Sequence, residues 1–139
     1  IENQKLDDVI GTWPKDNISV RIGDYMFRPH QRWTITAVPE AGGYLSNPYF
    51  KITIEGTDRA LAATADLEVT TVAAFTGSDE QLWRIEQLTD GTFRILPKAI
   101  PGREGVNTKY VLYSIGDSTP TLAEWDFNTD NSKWNFRNH

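Results

Sequence analysis

Apolar and polar residues alternate along this chain in short runs, and no stretch of eleven or more residues carries a helical period. The clearest runs contain tryptophan. Gln31-Arg32-Trp33-Thr34-Ile35, Gln81-Leu82-Trp83-Arg84-Ile85 and Ser132-Lys133-Trp134-Asn135-Phe136 each set a large apolar residue two places after the tryptophan. That spacing is the period of a strand with one buried face. The three tryptophans stand fifty and fifty-one residues apart, so they are read as equivalent core positions of an internal repeat.

Walking back from each tryptophan extends the repeat. A second strand is expected at 5–10 (KLDDVI), 59–64 (RALAAT) and 110–115 (YVLYSI), matched through Leu6, Leu61 and Leu112. A third is expected at 18–23, 68–75 and 120–125. First strands are expected at 49–55 and 92–97, joined to the preceding tryptophan strands through EAGG and TDGT turns. The first copy offers only "IEN" for this strand, so residues ahead of Ile1, or a partner, are expected to supply that edge. Three copies of about four strands predict an all-β fold that closes on itself, since closure removes open sheet edges.

Composition narrows the classes of function. The chain has 139 residues, 39% of them hydrophobic and 12% aromatic, which suits one domain with one core. A net charge of −5 without a Lys/Arg run gives no basic footprint for nucleic acid or an anionic membrane. The absence of cysteine excludes disulfides, thiolate nucleophiles and the common zinc frameworks. No signal peptide and no apolar run of spanning length are visible, so a cytoplasmic or unconventionally secreted protein is expected. With His30 and His139 the only histidines, and no phosphate loop, zinc or EF-hand motif, neither catalysis nor a cofactor or metal is expected. Asn17-Ile18-Ser19 has the form of a glycosylation sequon and is taken as chance.

The Gln-x-Trp spacing, with "GTFRI" and "TPTLAEWDFNTDNSKWNF", resembles the ricin-B-like β-trefoils over nearly the whole chain. The likeness is to small fungal lectins, trefoil protease inhibitors and the lectin-like light subunit of mushroom tyrosinase. It implies one β-trefoil domain with repeats at about 1–42, 43–91 and 92–139. It implies no single function, because the scaffold carries several. The tryptophans are read as scaffold, and function is expected in loops where the copies differ.

Matching Leu6 to Leu61 and Leu112 gives the first copy five extra residues before its tryptophan, placed around TWPKDN at 12–17. The third copy has its own excess in PKAIPGREGVNTK at 97–109. The lectin reading favours the first copy. Galactose-binding members carry an Asp on the second strand, and this match gives Asp8, against Ala63 and Tyr113 in the other copies. The resemblance then assigns Gly23, Tyr25 and His30 as further carbohydrate-binding residues, with Tyr25 or Trp13 as the platform for the sugar's apolar face. His30 departs from the asparagine usual in the family. Trp125 and Asn131 form a secondary candidate in the third copy, without a carboxylate.

Two other readings compete. An inhibitor would present Lys15, stiffened by Pro14, or Arg103, to a protease's acidic pocket. An interaction subunit of an enzyme complex would use Trp13 and Tyr44 as anchors without binding sugar. The expected partners are accordingly galactose-type glycans or glycoproteins, or else a protease or an enzyme subunit, with no nucleic acid and no membrane insertion.

Overall fold

A computed structural model of the chain describes residues 1–3, 9–12, 20–23, 31–41, 43–44, 47–102, 110–114, 120–126 and 129–136. Its strands are β1 Glu2–Asn3, β2 Val9–Thr12, β3 Val20–Gly23, β4 Trp33–Ala37, β5 Gly43–Tyr44, β6 Asn47–Pro48, β7 Phe50–Ile54, β8 Ala60–Ala63, β9 Val69–Val72, β10 Trp83–Gln87, β11 Phe93–Pro97, β12 Tyr110–Tyr113, β13 Thr121–Glu124 and β14 Trp134–Asn135. No α-helix occurs among the described residues. Short 3-10 turns stand at Pro39–Ala41, Asp79–Gln81 and Asp130–Ser132, the last two leading into β10 and β14.

The strands form a β-trefoil. One curled path runs β3-β2-β1-β14-β11-β10-β7-β8-β9, with β4 added on β7, and its barrel members are β1, β4, β7, β10, β11 and β14. The hairpins β2–β3, β8–β9 and β12–β13 form the cap. Leu67, in the β8–β9 turn, accepts a hydrogen bond from the Leu122 amide at 2.7 Å, and Glu68 bridges Thr121. Leu67 sits at φ 60, a left-handed backbone that disfavours a leucine, yet its side chain packs on the core. The contact between hairpins and the partly buried side chain offset that strain.

The three tryptophans behave alike. The Trp33 indole N–H donates to the Ile10 carbonyl at 2.9 Å, Trp83 to Leu61 at 2.9 Å, and Trp134 to Leu112 at 3.1 Å. Buried indoles need such a partner for their polar edge. Ile35, Ile85 and Phe136, two places on, pack against the same core of Ile10, Ile52, Leu61, Ile95 and Leu112. The expected β-trefoil and the scaffold role of the tryptophans are both observed. The Asp-Gly turn between β10 and β11 also forms, with Gly91 at φ 89 and the Leu88 amide bonded to the Thr92 carbonyl at 2.7 Å.

The same bonds correct the first repeat. The counterpart of Leu61 and Leu112 is Ile10, and the second strand is Val9–Thr12 instead of 5–10. Leu6 lies outside the described residues. Ile10 is buried at 0% exposure and stands opposite Ile22, as Leu61 stands opposite Thr71 and Leu112 opposite Leu122. The first hairpin is therefore two residues longer than the others, and the following stretch to the tryptophan is one residue shorter. The five extra residues expected near 12–17 reduce to two within the hairpin. The excess in the third repeat does stand between β11 and β12, where Ile100 anchors the connection in the core. A small hairpin, β5 with β6, adds to the EAGG connection and was not expected.

Replacing Trp83 or Trp134 by Phe leaves the Leu61 or Leu112 carbonyl without its donor and opens a small void. Each change is expected to lower unfolding free energy by about 2–4 kcal/mol in urea titrations. The same change at Trp125 is expected to cost under about 1 kcal/mol, as befits a half-buried position.

Candidate functional site

Two of the three repeats can be inspected at the positions that matter. Counting from the paired residues Ile22, Thr71 and Leu122, the place of Tyr25 is held by Ala74 in the second repeat and Trp125 in the third. Counting from the tryptophan motif, the place of His30 is held by Glu80 and Asn131. Asp8, Tyr25 and His30 themselves, and Trp13, Pro14, Lys15 and Arg103, lie outside the described residues. Gly23 is described in its backbone, as the last residue of β3, paired with Val9. Tyr44 is described only as part of β5. The register also changes two matches: the place of Ala63, two after Leu61, falls on Thr12 instead of Asp8 in the first repeat and on Ser114 instead of Tyr113 in the third.

In the third repeat the polar candidate works inside the fold. The Asn131 carboxamide N–H donates to the Ser114 carbonyl at 2.8 Å, and its oxygen accepts from the Thr129 hydroxyl at 2.9 Å. The Ser114 amide returns a bond to the Asn131 carbonyl at 3.0 Å. Asn131 thus ties the end of β12 to the 3-10 turn ahead of β14. A carboxamide has four hydrogen-bonding sites, and at least two are already used here.

Trp125 is covered on one side. The Arg94 guanidinium lies 5.1 Å from its ring centroid, and Arg94 is held in turn by Glu86, with Nε 2.7 Å and Nη2 2.6 Å from Oε1. Arg84 reaches the other Glu86 oxygen at 2.8 Å. A sugar ring stacking on that indole face would have to displace a paired cation. The second repeat shows a similar arrangement, with Lys51 5.4 Å from the Phe75 centroid. Lys51 and Arg94 occupy the same place, second in β7 and β11. Sequence reasoning saw the aromatic and the amide of the third repeat but missed these partners. The pairing of Glu86 with Arg94 across β10 and β11 was the available signal.

The motif residues beside the tryptophans are scaffold as well. Gln81 is buried, and its side-chain oxygen accepts from the Thr76 amide at 2.8 Å, pinning the turn before β10. Lys133 replaces Leu82 and is nearly buried, with Nζ 3.4 Å from Asp90 and 3.3 Å from Asp130. Asp90 in turn accepts from the Thr92 hydroxyl at 2.5 Å and the Thr92 amide at 2.9 Å. The Thr92 hydrogen bonds, and to a lesser degree Lys133, hold the Asp90 carboxyl below its ordinary 3.8 against the opposing effect of desolvation. Among the described residues no group of three or more His, Cys, Asp or Glu side chains is placed to hold a metal ion.

The family described as ricin-type β-trefoil lectin domain-like matches residues 29–103, more than half of the chain. No curated protein sequence matches it. Three solved structures are similar over 96% of the chain. An endo-β-galactosidase from Clostridium perfringens, described as releasing GlcNAcα1-4Gal, superposes with a TM-score of 0.73 at 11% identity, with 30% of that chain covered. A mosquitocidal holotoxin gives 0.72 at 16% identity, with 16% of it covered. The designed three-fold symmetric protein ThreeFoil gives 0.73 at 15% identity, with 92% covered. The chain thus spans less than a third of the first two proteins, and at these identities the likeness shows the fold.

The Asp90 carboxyl provides a test by pH. Its folded-state value is depressed, so its contribution is present above the unfolded value and is lost as pH falls through the folded one. Asp90→Asn is expected to melt below the parent near neutral pH. That gap should close as pH falls below the ordinary 3.8 and through the lower folded-state value, read by thermal unfolding at each pH. A gap that stays constant across this range would contradict the assignment.

Proposed function

The chain belongs to the ricin-type β-trefoil lectin domain-like family, and on that premise we propose that it binds carbohydrate through its first repeat. The observation that carries this reading is the pairing of Val9 with Gly23 at one end of the β2–β3 hairpin. Asp8 precedes Val9 in sequence, and Asp24 and Tyr25 follow Gly23. In sequence an acid and an aromatic thus flank the paired Val9 and Gly23, although Thr12 and not Asp8 is the counterpart of Ala63. Asp8 accepts sugar hydroxyls, Gly23 lets the sugar approach the backbone, Tyr25 meets the apolar face, and His30 adds a polar contact. Galactose-type glycans are the proposed ligands, and binding is the whole of the proposed activity, without catalysis.

The other repeats support the choice. The second has Arg59 in place of an acid two before Leu61, and Ala74 at the place of Tyr25, which offers no platform. In the third, Asn131 is tied to Ser114 and Thr129, and Arg94 covers a face of Trp125. Trp125 and Asn131 are accordingly assigned a structural part.

A glycan array on the folded chain tests the reading. Binding to galactose-type glycans is expected, with Asp8→Ala weakening it by at least about tenfold, the cost of one charge-assisted hydrogen bond. Trp125→Ala should leave affinity within about twofold. Unchanged affinity in Asp8→Ala sinks the site assignment.

A second reading has one structural observation behind it. The first hairpin is two residues longer than its counterparts, and Pro14 and Lys15 stand between its strands in sequence. A longer connection between β2 and β3 would suit presentation of Lys15 to a trypsin-like protease. A blank array together with trypsin inhibition that Lys15→Ala abolishes would establish this reading in place of the lectin.

A further inference from the structure

The turn between β10 and β11 carries a chemistry that sugar binding does not use. Asp90 is the only Asp or Asn of the chain followed by glycine, and both Asp90 and Gly91 are exposed. Glycine leaves its amide nitrogen unshielded by any side chain. At Gly91 the backbone is left-handed, φ 89, and apart from its chain neighbours no atom lies within 4 Å of where a Cβ would stand. The Gly91 nitrogen is therefore sterically open to the Asp90 carboxyl. Its attack on Cγ forms an N–Cγ bond, releases the amide proton and expels one carboxyl oxygen as water, closing a succinimide. Water then reopens the ring. Opening at Cγ restores aspartate, whereas opening at the Asp90 carbonyl carbon leaves the chain linked through Cγ as isoaspartate. One water leaves and one returns, so no other reactant is needed.

We propose that Asp90-Gly91 is an isoaspartate-forming site held unreactive by Thr92 and Lys133. Asp90 Oδ1 accepts from the Thr92 amide at 2.9 Å and the Thr92 hydroxyl at 2.5 Å, and Oδ2 lies 3.4 Å from Lys133 Nζ. These contacts have to break before Cγ can turn to the Gly91 nitrogen. The nucleophile is restrained as well, since the Gly91 amide donates to the Leu88 carbonyl at 3.0 Å and Gln87 Nε2 donates to the Gly91 carbonyl at 3.4 Å. A carboxylate is also a poorer electrophile than a carboxylic acid, because oxide would have to leave. The Thr92 hydrogen bonds, and less so Lys133, favour that ionised form. Isoaspartate adds one carbon to the backbone of the turn and moves the charged group away from the place these side chains hold. Lys133, buried where the second repeat has Leu82, then loses Asp90, and the link from this turn to the segment ahead of Trp134 loosens.

Peptide mapping with electron-transfer fragmentation distinguishes isoaspartate from aspartate at Asp90, and its rate of formation near neutral pH in the folded parent, the urea-unfolded parent and two variants tests this. Thr92→Val keeps the side chain's outline and removes the hydroxyl donor. It is expected to form isoaspartate faster than the folded parent by about fivefold or more, the factor that one hydrogen bond represents. Lys133→Met, which sets an apolar side chain there as Leu82 does in the second repeat, is expected to gain about twofold or more. The urea-unfolded parent should exceed both. Equal rates in the folded parent and in the folded variants would overturn the proposal. Equal rates in the folded and the urea-unfolded parent would do the same, and that comparison needs no variant to fold.

Discussion

The bond from an indole N–H to the carbonyl of a cap-hairpin residue, made three times, is the constraint on which the other features of this fold rest. Each bond joins the start of a barrel strand to the middle of a hairpin strand about twenty-two residues earlier in sequence. It fixes the relative height of barrel and cap in each repeat. The energy of one such bond is small, about 1 kcal/mol net. The cost of leaving a buried carbonyl unpaired is larger, and the tryptophan also fills the layer between barrel and cap. Register, core and cap therefore stand or fall together, and this explains why the motif tolerates Gln or Ser ahead of the tryptophan but repeats the tryptophan itself.

Around this shared frame the copies have diverged in how they use their polar residues. In the third repeat Asn131, Ser114 and Thr129 close on one another, Lys133 is held between two carboxylates, and Trp125 lies under Arg94. Those side chains stabilise turns and have little left to offer a ligand. The second repeat has Arg59 at the place of the acid and Ala74 at the place of the aromatic. Only the first repeat combines an acid, a glycine and an aromatic at these places, and the first hairpin is also the one that differs in length. A three-fold scaffold thus arrives at a single proposed site by closing two positions as well as by keeping one.

Much of the fold was legible because tryptophan at fifty-residue spacing, with an apolar residue two places on, admits few architectures. The second and third strands of the later repeats fell within three residues of their observed ends for the same reason. The first repeat misled through Leu6. Two apolar residues, Leu6 and Ile10, compete there for one buried position, and identity with Leu61 and Leu112 favours the wrong one, whereas burial and the Trp33 bond select Ile10. The β5–β6 hairpin was illegible because two-residue strands carry no period to detect. The third-repeat candidates were visible as residue types. Their engagement was not, since a pairing such as Asn131 with Ser114 depends on which turns the barrel brings together.

Nuclear Overhauser contacts from the indole N–H protons, measured on labelled protein, test the central register most directly. The account predicts that the Trp33 proton contacts Ile10 and Gly11, in parallel with Trp83 at Leu61 and Trp134 at Leu112. Contacts from Trp33 to Leu6 instead would restore a second strand at 5–10, return Asp8 to the place of Ala63, and contradict the register on which the three-fold comparison is built.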